Sequence, residues 1–171
     1  QMCIRDRAYA ENLSKTIAAL KGKSKRLLIF DLDNTIWGGN IGDTGYEGIE
    51  IGNGTAKGEA FLQIQKYFLE LRERGVLLAA ASKNNSDIAL KAFDKNNEVL
   101  IKNKHLSTYQ INWKDKAQNI LKICNDLKLG MHSAVFVDDN PFERNLVRKF
   151  LPEVTVPEMP SDPSLYCRYL Y

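Results

Sequence analysis

At 171 residues with a formal net charge of +3, the chain suits one domain with a substantial core. Its charge is too mild and too spread for a nucleic-acid binder; the one basic cluster, Lys21, Lys23, Lys25 and Arg26, reads as a solvated connector. No apolar run is long enough to span a membrane, and the start is too polar for a secretory signal. Cys3, Cys124 and Cys167 are an odd number without metal-ligand spacing, which points to a reducing cytoplasm, and His105 and His132 stand alone in the sequence.

Residues 1–7, QMCIRDR, fit no element and read as a foreign or truncated leader. Tyr9, Leu13, Ile17 and Leu20 recur at helical spacing, so residues 8–25 read as an N-terminal helix and linker, and 26–171 as a catalytic domain belonging to a longer protein. Leu27 to Phe30 is a short apolar run ending in acids, the pattern of a buried parallel strand. From Ile36 to Thr55 seven glycines in twenty residues break any long helix, and a small hairpin flap is expected there. A helix follows over 57–74, buried through Phe61, Ile64, Phe68 and Leu71 and stopped by Gly75. Val76 to Ala81 reads as the second strand, and 86–95 as a helix with Ile88, Ala89, Ala92 and Phe93 inward. Val99 to Ile101 has the composition of a short strand, whereas 105–113 reads as an irregular connector. The next helix, 115–128, turns Ala117, Ile120, Leu121, Cys124 and Leu127 inward. Ala134 to Val137 is a further buried strand; Asn140, Pro141 and Glu143 then make a helix start, with Glu143 as a capping-box acid. Val154 to Val156 reads as a last edge strand before a Pro-rich turn and a short terminal helix. Strand and helix alternate, so an α/β domain with a parallel sheet covered on both faces is expected.

Ligands bind at the carboxyl ends of the strands in such a sheet, and the first strand runs into Asp31 and Asp33. Two neighbouring carboxylates repel unless a cation is shared or one takes a proton, and Mg²⁺, a hard oxygen-seeking ion, resolves the conflict. Asp138 and Asp139 pose the same problem at the end of a later strand. Ser82 ends the second strand and either caps the following helix or binds a phosphate oxygen, with Lys83 and Asn84 beside it. Lys116 opens a helix, where it opposes the macrodipole unless an anion compensates; Lys114 is its neighbouring competitor. Glu143 is either a cap or a partner orienting a metal-bound water.

The strand-DxDxT pattern of LLIFDLDNT, followed by Ser82, Lys116 and Asp138–Asp139, resembles the haloacid dehalogenase (HAD) superfamily of phosphotransferases. The resemblance implies a HAD-like Rossmannoid three-layer sandwich with a small flap and no large cap domain. It implies Asp31 as the nucleophile accepting a phosphoryl group and Asp33 as general acid/base. Ser82 and Lys116 would then be catalytic, with Ser82, Lys83, Asn84 and Lys116 binding substrate. Mg²⁺ would be held by the Asp31 carboxylate, the Asp33 carbonyl and Asp139, with Asp138 alongside. A response-regulator receiver carries similar groups, but its phosphorylated acid lies mid-chain, unlike DLDNT here.

DLDNTIWGGNIGDTGYEGIEIG, SKNN, NWKDKAQNI and FVDDNPFERNLVR resemble the FkbH-like branch of the superfamily over roughly residues 26–165. That resemblance implies removal of phosphate from a glyceryl-phosphate donor such as 1,3-bisphosphoglycerate and loading of the three-carbon unit on an acyl carrier protein. Many members carry Cys before the motif Ser, where this chain has Ala81. The alternatives are a small-molecule phosphatase without acyl transfer and a non-catalytic module that docks a carrier protein.

Overall fold

The computed structural model describes residues 24–170. The expected leader, the helix expected over 8–22 and Cys3 lie outside the described residues. Four parallel strands form the sheet: β1 (Leu27–Phe30), β2 (Leu77–Ser82), β3 (Leu106–Ile111) and β4 (Ala134–Val137), in the order β3-β2-β1-β4. The helices are α1 (Ile41–Thr44), α2 (Ala56–Glu73), α3 (Ser86–Lys95), α4 (Lys116–Asp126), α5 (Pro141–Phe150) and α6 (Tyr166–Leu170).

Every residue of β1 is buried, because side chains alternate between two covered faces. Leu28 and Phe30 pack toward α2 and α3 with Phe61, Ile64, Phe68 and Phe93. Leu27 and Ile29 pack toward α4 and α5 with Ile120, Ile123, Cys124 and Val147. Three layers result, as the α/β reading requires. Thr55 caps α2 by accepting from Gly58 N at 2.9 Å, and Gly75 ends that run with φ +91°, a conformation costly for other residues.

Several local expectations change. Residues 105–113 contain the edge strand β3, paired in parallel with β2; its alternating half-exposed pattern, LSTYQI, is what one uncovered edge allows. Val99 to Ile101 form no strand, although Val99 and Ile101 are fully buried. The buried Gln65 side chain takes over the sheet's role there: its Oε1 accepts from Leu100 N (2.8 Å) and Ile101 N (3.0 Å), while its Nε2 donates to Ile36 O (2.7 Å). Residues 154–156 make a single bridge, Val135 to Thr155, rather than a strand. The flap is likewise no hairpin ladder. One antiparallel bridge, Gly38 to Glu50, closes it around the single turn α1. Gly38 is closely packed there, and a Cβ would meet Glu50 and the Phe61 ring at 3.0 Å, so those neighbours would have to shift. Leu121 is exposed instead of inward, and α5 leaves Phe142 and Phe150 to solvent while burying Val147. Among the described residues no helix is long and apolar enough to cross a membrane.

Because β2 and β4 flank β1 on opposite sides, the chain reverses direction across the sheet between β1 and β4. Such a switch point opens a crevice at the carboxyl ends of the strands.

Candidate active site

The crevice is a cleft of about 220 Å³ lined by Asp31, Asp33, Asn34, Lys83, Lys116, Asp139, Asn140 and Glu143. Sheet pairing puts Asp31 there directly: its N–H donates to Val137 O at 2.9 Å, locking the ends of β1 and β4 together. Asp31, Asp138 and Asp139 each offer a carboxylate oxygen within 4.8 Å of the others. That spacing brings acids far apart in sequence onto one ion-sized volume, and oxygen donors of this kind suit a hard divalent cation.

Lys116 is the first residue of α4, after the cap Asp115, whose side chain accepts from Ala117 N (2.7 Å). Its ammonium is buried, 3.0 Å from Asp31 Oδ1, and hydrogen-bonded to Asp138 Oδ2. Burial pulls the Lys116 pKa down, but the charges of Asp31 and then Asp138 outweigh it and hold the group well above its ordinary value. The anion that a helix-opening lysine needs is therefore present twice. Lys114 is exposed.

The two acids after β4 point differently. Asp138 is fully buried, its Oδ2 on Lys116 and its Oδ1 accepting from Asn140 N (2.8 Å). Burial first, then the charge of Asp31, pushes its carboxyl upward against the pull of Lys116. Asp139 faces the cleft, with Oδ1 accepting from Thr35 Oγ1 (3.2 Å) and its own N–H donating back to that hydroxyl (3.1 Å). Burial, followed by Asp31, raises its pKa as well.

Asp33 has neutral partners. Oδ1 accepts from Trp37 Nε1 (2.8 Å) and Ile41 N (3.1 Å), and Oδ2 from Asn84 Nδ2 (2.7 Å). Burial raises its pKa against these donors. Asn34, the residue after Asp33, takes φ +54°, a left-handed conformation that asparagine tolerates. Its Oδ1 accepts from Gly39 N (3.1 Å), and its carbonyl accepts from the Tyr166 hydroxyl (3.0 Å). Burial, then the charge of Asp139, pushes that phenol up to about 12.

Ser82 ends β2 as a buried residue and is not part of the cleft lining; its carbonyl accepts from Asn112 N (3.0 Å). Lys83 lines the cleft and donates to Glu143 Oε1 at 2.6 Å. Asn84, expected to bind substrate, is outside the cleft lining and donates from Nδ2 to Asp33 Oδ2. Glu143 does not form a capping box: Asn140 caps α5 through Phe142 N, and Asn140 N is taken by Asp138. Glu143 instead keeps Oε2 buried and without a hydrogen bond beside the acids.

Three positioning groups escaped the sequence reading. All three stood inside motifs quoted for the resemblance, Thr35 in DLDNT, Trp37 in the WGG that follows it and Arg144 in FVDDNPFERNLVR, without a role of their own. The buried Arg144 donates from Nη1 to the carbonyls of Asp138 (2.8 Å) and Asp139 (2.7 Å), pinning the loop that carries both acids. A helical arginine four residues after a turn has no sequence signature for that contact.

Among solved structures, the chain is similar to the N-terminal part of protein BF1531 from Bacteroides fragilis, which contains a phosphatase domain and was solved with Mg. Identity is 48%, the TM-score is 0.90, and the match covers 93% of this chain and 42% of that one. The chain thus spans about two fifths of that structure. Another Bacteroides fragilis protein, assigned as a haloacid dehalogenase-like hydrolase, superposes with a TM-score of 0.54 at 12% identity, over 78% of this chain and 86% of that one. The fold is haloacid dehalogenase-like. A Corynebacterium glutamicum protein of uncharacterised function matches with a TM-score of 0.54 at 13% identity, over 86% and 90% of the two chains. No protein-family model matches the chain, and no curated protein sequence matches it.

Proposed function

We propose that the chain is a Mg²⁺-dependent HAD-type phosphatase acting through an aspartyl-phosphate on Asp31. The observation that carries this is the convergence of Asp31, Asp138 and Asp139 within 4.8 Å, with Lys116 between two of them and Asp33 in the same cleft. Four carboxylates against one buried ammonium leave an excess of negative charge that a divalent cation offsets. The donors fit the ion: both oxygens of Asp138 are engaged, whereas Asp139 is bonded through Oδ1 alone and faces the cleft. The Asp31 carboxylate, the Asp33 carbonyl and Asp139 would hold it, with Asp138 reserved for Lys116. When bound, Mg²⁺ neutralises and orients the phosphate.

In the first step an Asp31 carboxylate oxygen bonds to phosphorus as the bond to the leaving oxygen breaks, and Asp33 gives that oxygen its proton. Water then attacks phosphorus, Asp33 takes the water's proton, and the bond to Asp31 breaks to release inorganic phosphate. Lys116 spreads the charge on Asp31 during both steps. Lys83, in the cleft lining and paired with Glu143, would meet a phosphate oxygen; Ser82, buried outside that lining at the end of β2, would have to reach it through its hydroxyl.

The finer reading, phosphate removal from a glyceryl-phosphate donor and loading of an acyl carrier protein, rests on the FkbH-like motifs. Among the described residues none of the flap lines the cleft, and an open cleft suits a carrier-borne substrate. Ala81, fully buried on the α4 side of the sheet, offers no thiol for an acyl intermediate, which favours a phosphatase. The test is phosphate release from 1,3-bisphosphoglycerate with Mg²⁺, with and without holo acyl carrier protein, against Asp31→Asn. Release that requires the carrier and adds a glyceryl group to it supports the transferase, and release indifferent to the carrier supports the phosphatase. No release above the variant from this or simple aryl phosphates, with carrier affinity intact, would leave a docking module.

A further inference from the structure

We propose that Trp37 and Asn84 are positioning residues that hold the Asp33 carboxyl so that its Oδ2 passes the proton to the departing group. The proposal rests on the reading of Asp33 as the acid of the phosphatase. A carboxyl has about four in-plane hydrogen-bonding positions, two on each oxygen. Trp37 Nε1 and Ile41 N occupy both positions on Oδ1. Asn84 Nδ2 occupies one on Oδ2, at 2.7 Å. One position remains, and it is on Oδ2.

The donors come from three separate places: the loop after β1, the first residue of α1, and the loop after β2. Turning the carboxyl about its Cβ–Cγ bond would break all three contacts together. Trp37 cannot yield, because its ring is fully buried and packed on Phe93 with centroids 5.5 Å apart. Asn84 is buried too, at 3% exposure, with one N–H of its amide committed to Asp33. This is the physical content of WGG and SKNN in this chain. The indole and the amide orient the acid, and Asp33 alone of the three meets the cleft.

Leaving-group chemistry separates positioning from packing. As the Asp31–phosphorus bond forms, the bond to the leaving oxygen breaks and its electron pair stays on that oxygen. A p-nitrophenolate tolerates that charge, whereas a phenolate gains more from the Asp33 proton. The value of kcat/KM covers steps up to departure of the phenol; hydrolysis of the shared aspartyl-phosphate enters kcat alone. Trp37→Phe keeps an aromatic ring beside Phe93 and removes the indole N–H together with the volume of its second ring; Asn84→Ala tests the other oxygen independently. Both, with Asp33→Asn as reference, are assayed with Mg²⁺ on phenyl phosphate and p-nitrophenyl phosphate, after thermal melts establish folding. Each variant is expected to lose at least about fivefold more kcat/KM on phenyl phosphate than on p-nitrophenyl phosphate, and Asp33→Asn more still. Equal losses on the two esters, or none, would overturn the proposal and leave the two residues as packing. A wild-type chain inert on both esters and on 1,3-bisphosphoglycerate would instead remove the phosphatase reading, and this assignment with it.

Discussion

The ends of β1 and β4 each present two acids to one crevice, and the two ends handle their charge by opposite means. At the β4 end Asp138 is matched by a buried cation, Lys116, and the chain behind it is pinned by Arg144. At the β1 end Asp33 has only neutral donors, from an indole, a backbone N–H and an amide. A carboxyl tied to an ammonium is held in one place, which suits a structural anchor. One held by neutral donors keeps its place whether or not it carries a proton, which suits an acid that gives the proton up and takes it back. Asp31 and Asp139, the inner member of one pair and the outer member of the other, are the two that the proposed function assigns to the cation and the phosphate.

The largest break in this comparison comes from Asp31→Asn. Removing the nucleophile should lower phosphate release by about a thousandfold or more, with thermal melts as the folding check, since relief of the repulsion with Asp138 and Asp139 is set against loss of the buried ion pair with Lys116. Asp138→Asn and Asp139→Asn should then part company. Asp139→Asn should raise the Mg²⁺ concentration needed for half-maximal activity by about tenfold or more, the usual scale for losing a metal-coordinating carboxylate or its support. Asp138→Asn strips Lys116 of a partner and should destabilise the fold by about 3 kcal/mol in urea unfolding, the scale of a broken buried pair. If both variants changed only the Mg²⁺ requirement, the assignment of Asp138 to Lys116 would fail.

Mg²⁺ itself should sharpen the picture through pH. Burial raises the folded-state pKa of Asp33, Asp138 and Asp139 above the ordinary value of 3.8. Between the unfolded and folded values the folded chain binds more protons, so without the ion this contribution to stability is lost as pH rises through that window. Mg²⁺ binds the deprotonated acids and reverses the trend. Its thermal shift should therefore be larger at about pH 7 than at about pH 4.5, as for any cation that competes with protons. A shift independent of pH would exclude these carboxylates as its site.

Thr35→Val should have the smallest effect. It deletes the hydroxyl that exchanges hydrogen bonds with Asp139 and should cost about 1–2 kcal/mol of stability, with a modest rise in the Mg²⁺ requirement. A stability loss without any change toward Mg²⁺ would mean that Thr35 supports the loop and leaves the carboxylate direction to Arg144.

What the sequence by itself determined was the set of elements whose local pattern and burial agree. β1 and β4 are continuous apolar runs, α2 and α3 carry a clear apolar face between caps, and acids at strand ends fall where a parallel sheet opens its crevice. Asp31, Asp33, Lys116 and Asp139 were legible for that reason. Tertiary structure alone decided the rest. β3 looked irregular because an edge strand is half exposed and carries no run of apolar residues, and its pairing with β2 supplies the order. Residues 99–101 looked like a strand because they are buried, yet the side chain of Gln65, 35 residues earlier, takes their N–H groups. The roles of Asn84, Trp37 and Arg144 share this character. Each satisfies a polar group that folding would otherwise bury unpaired, and the partner of such a group is chosen by proximity in space, which no local pattern encodes.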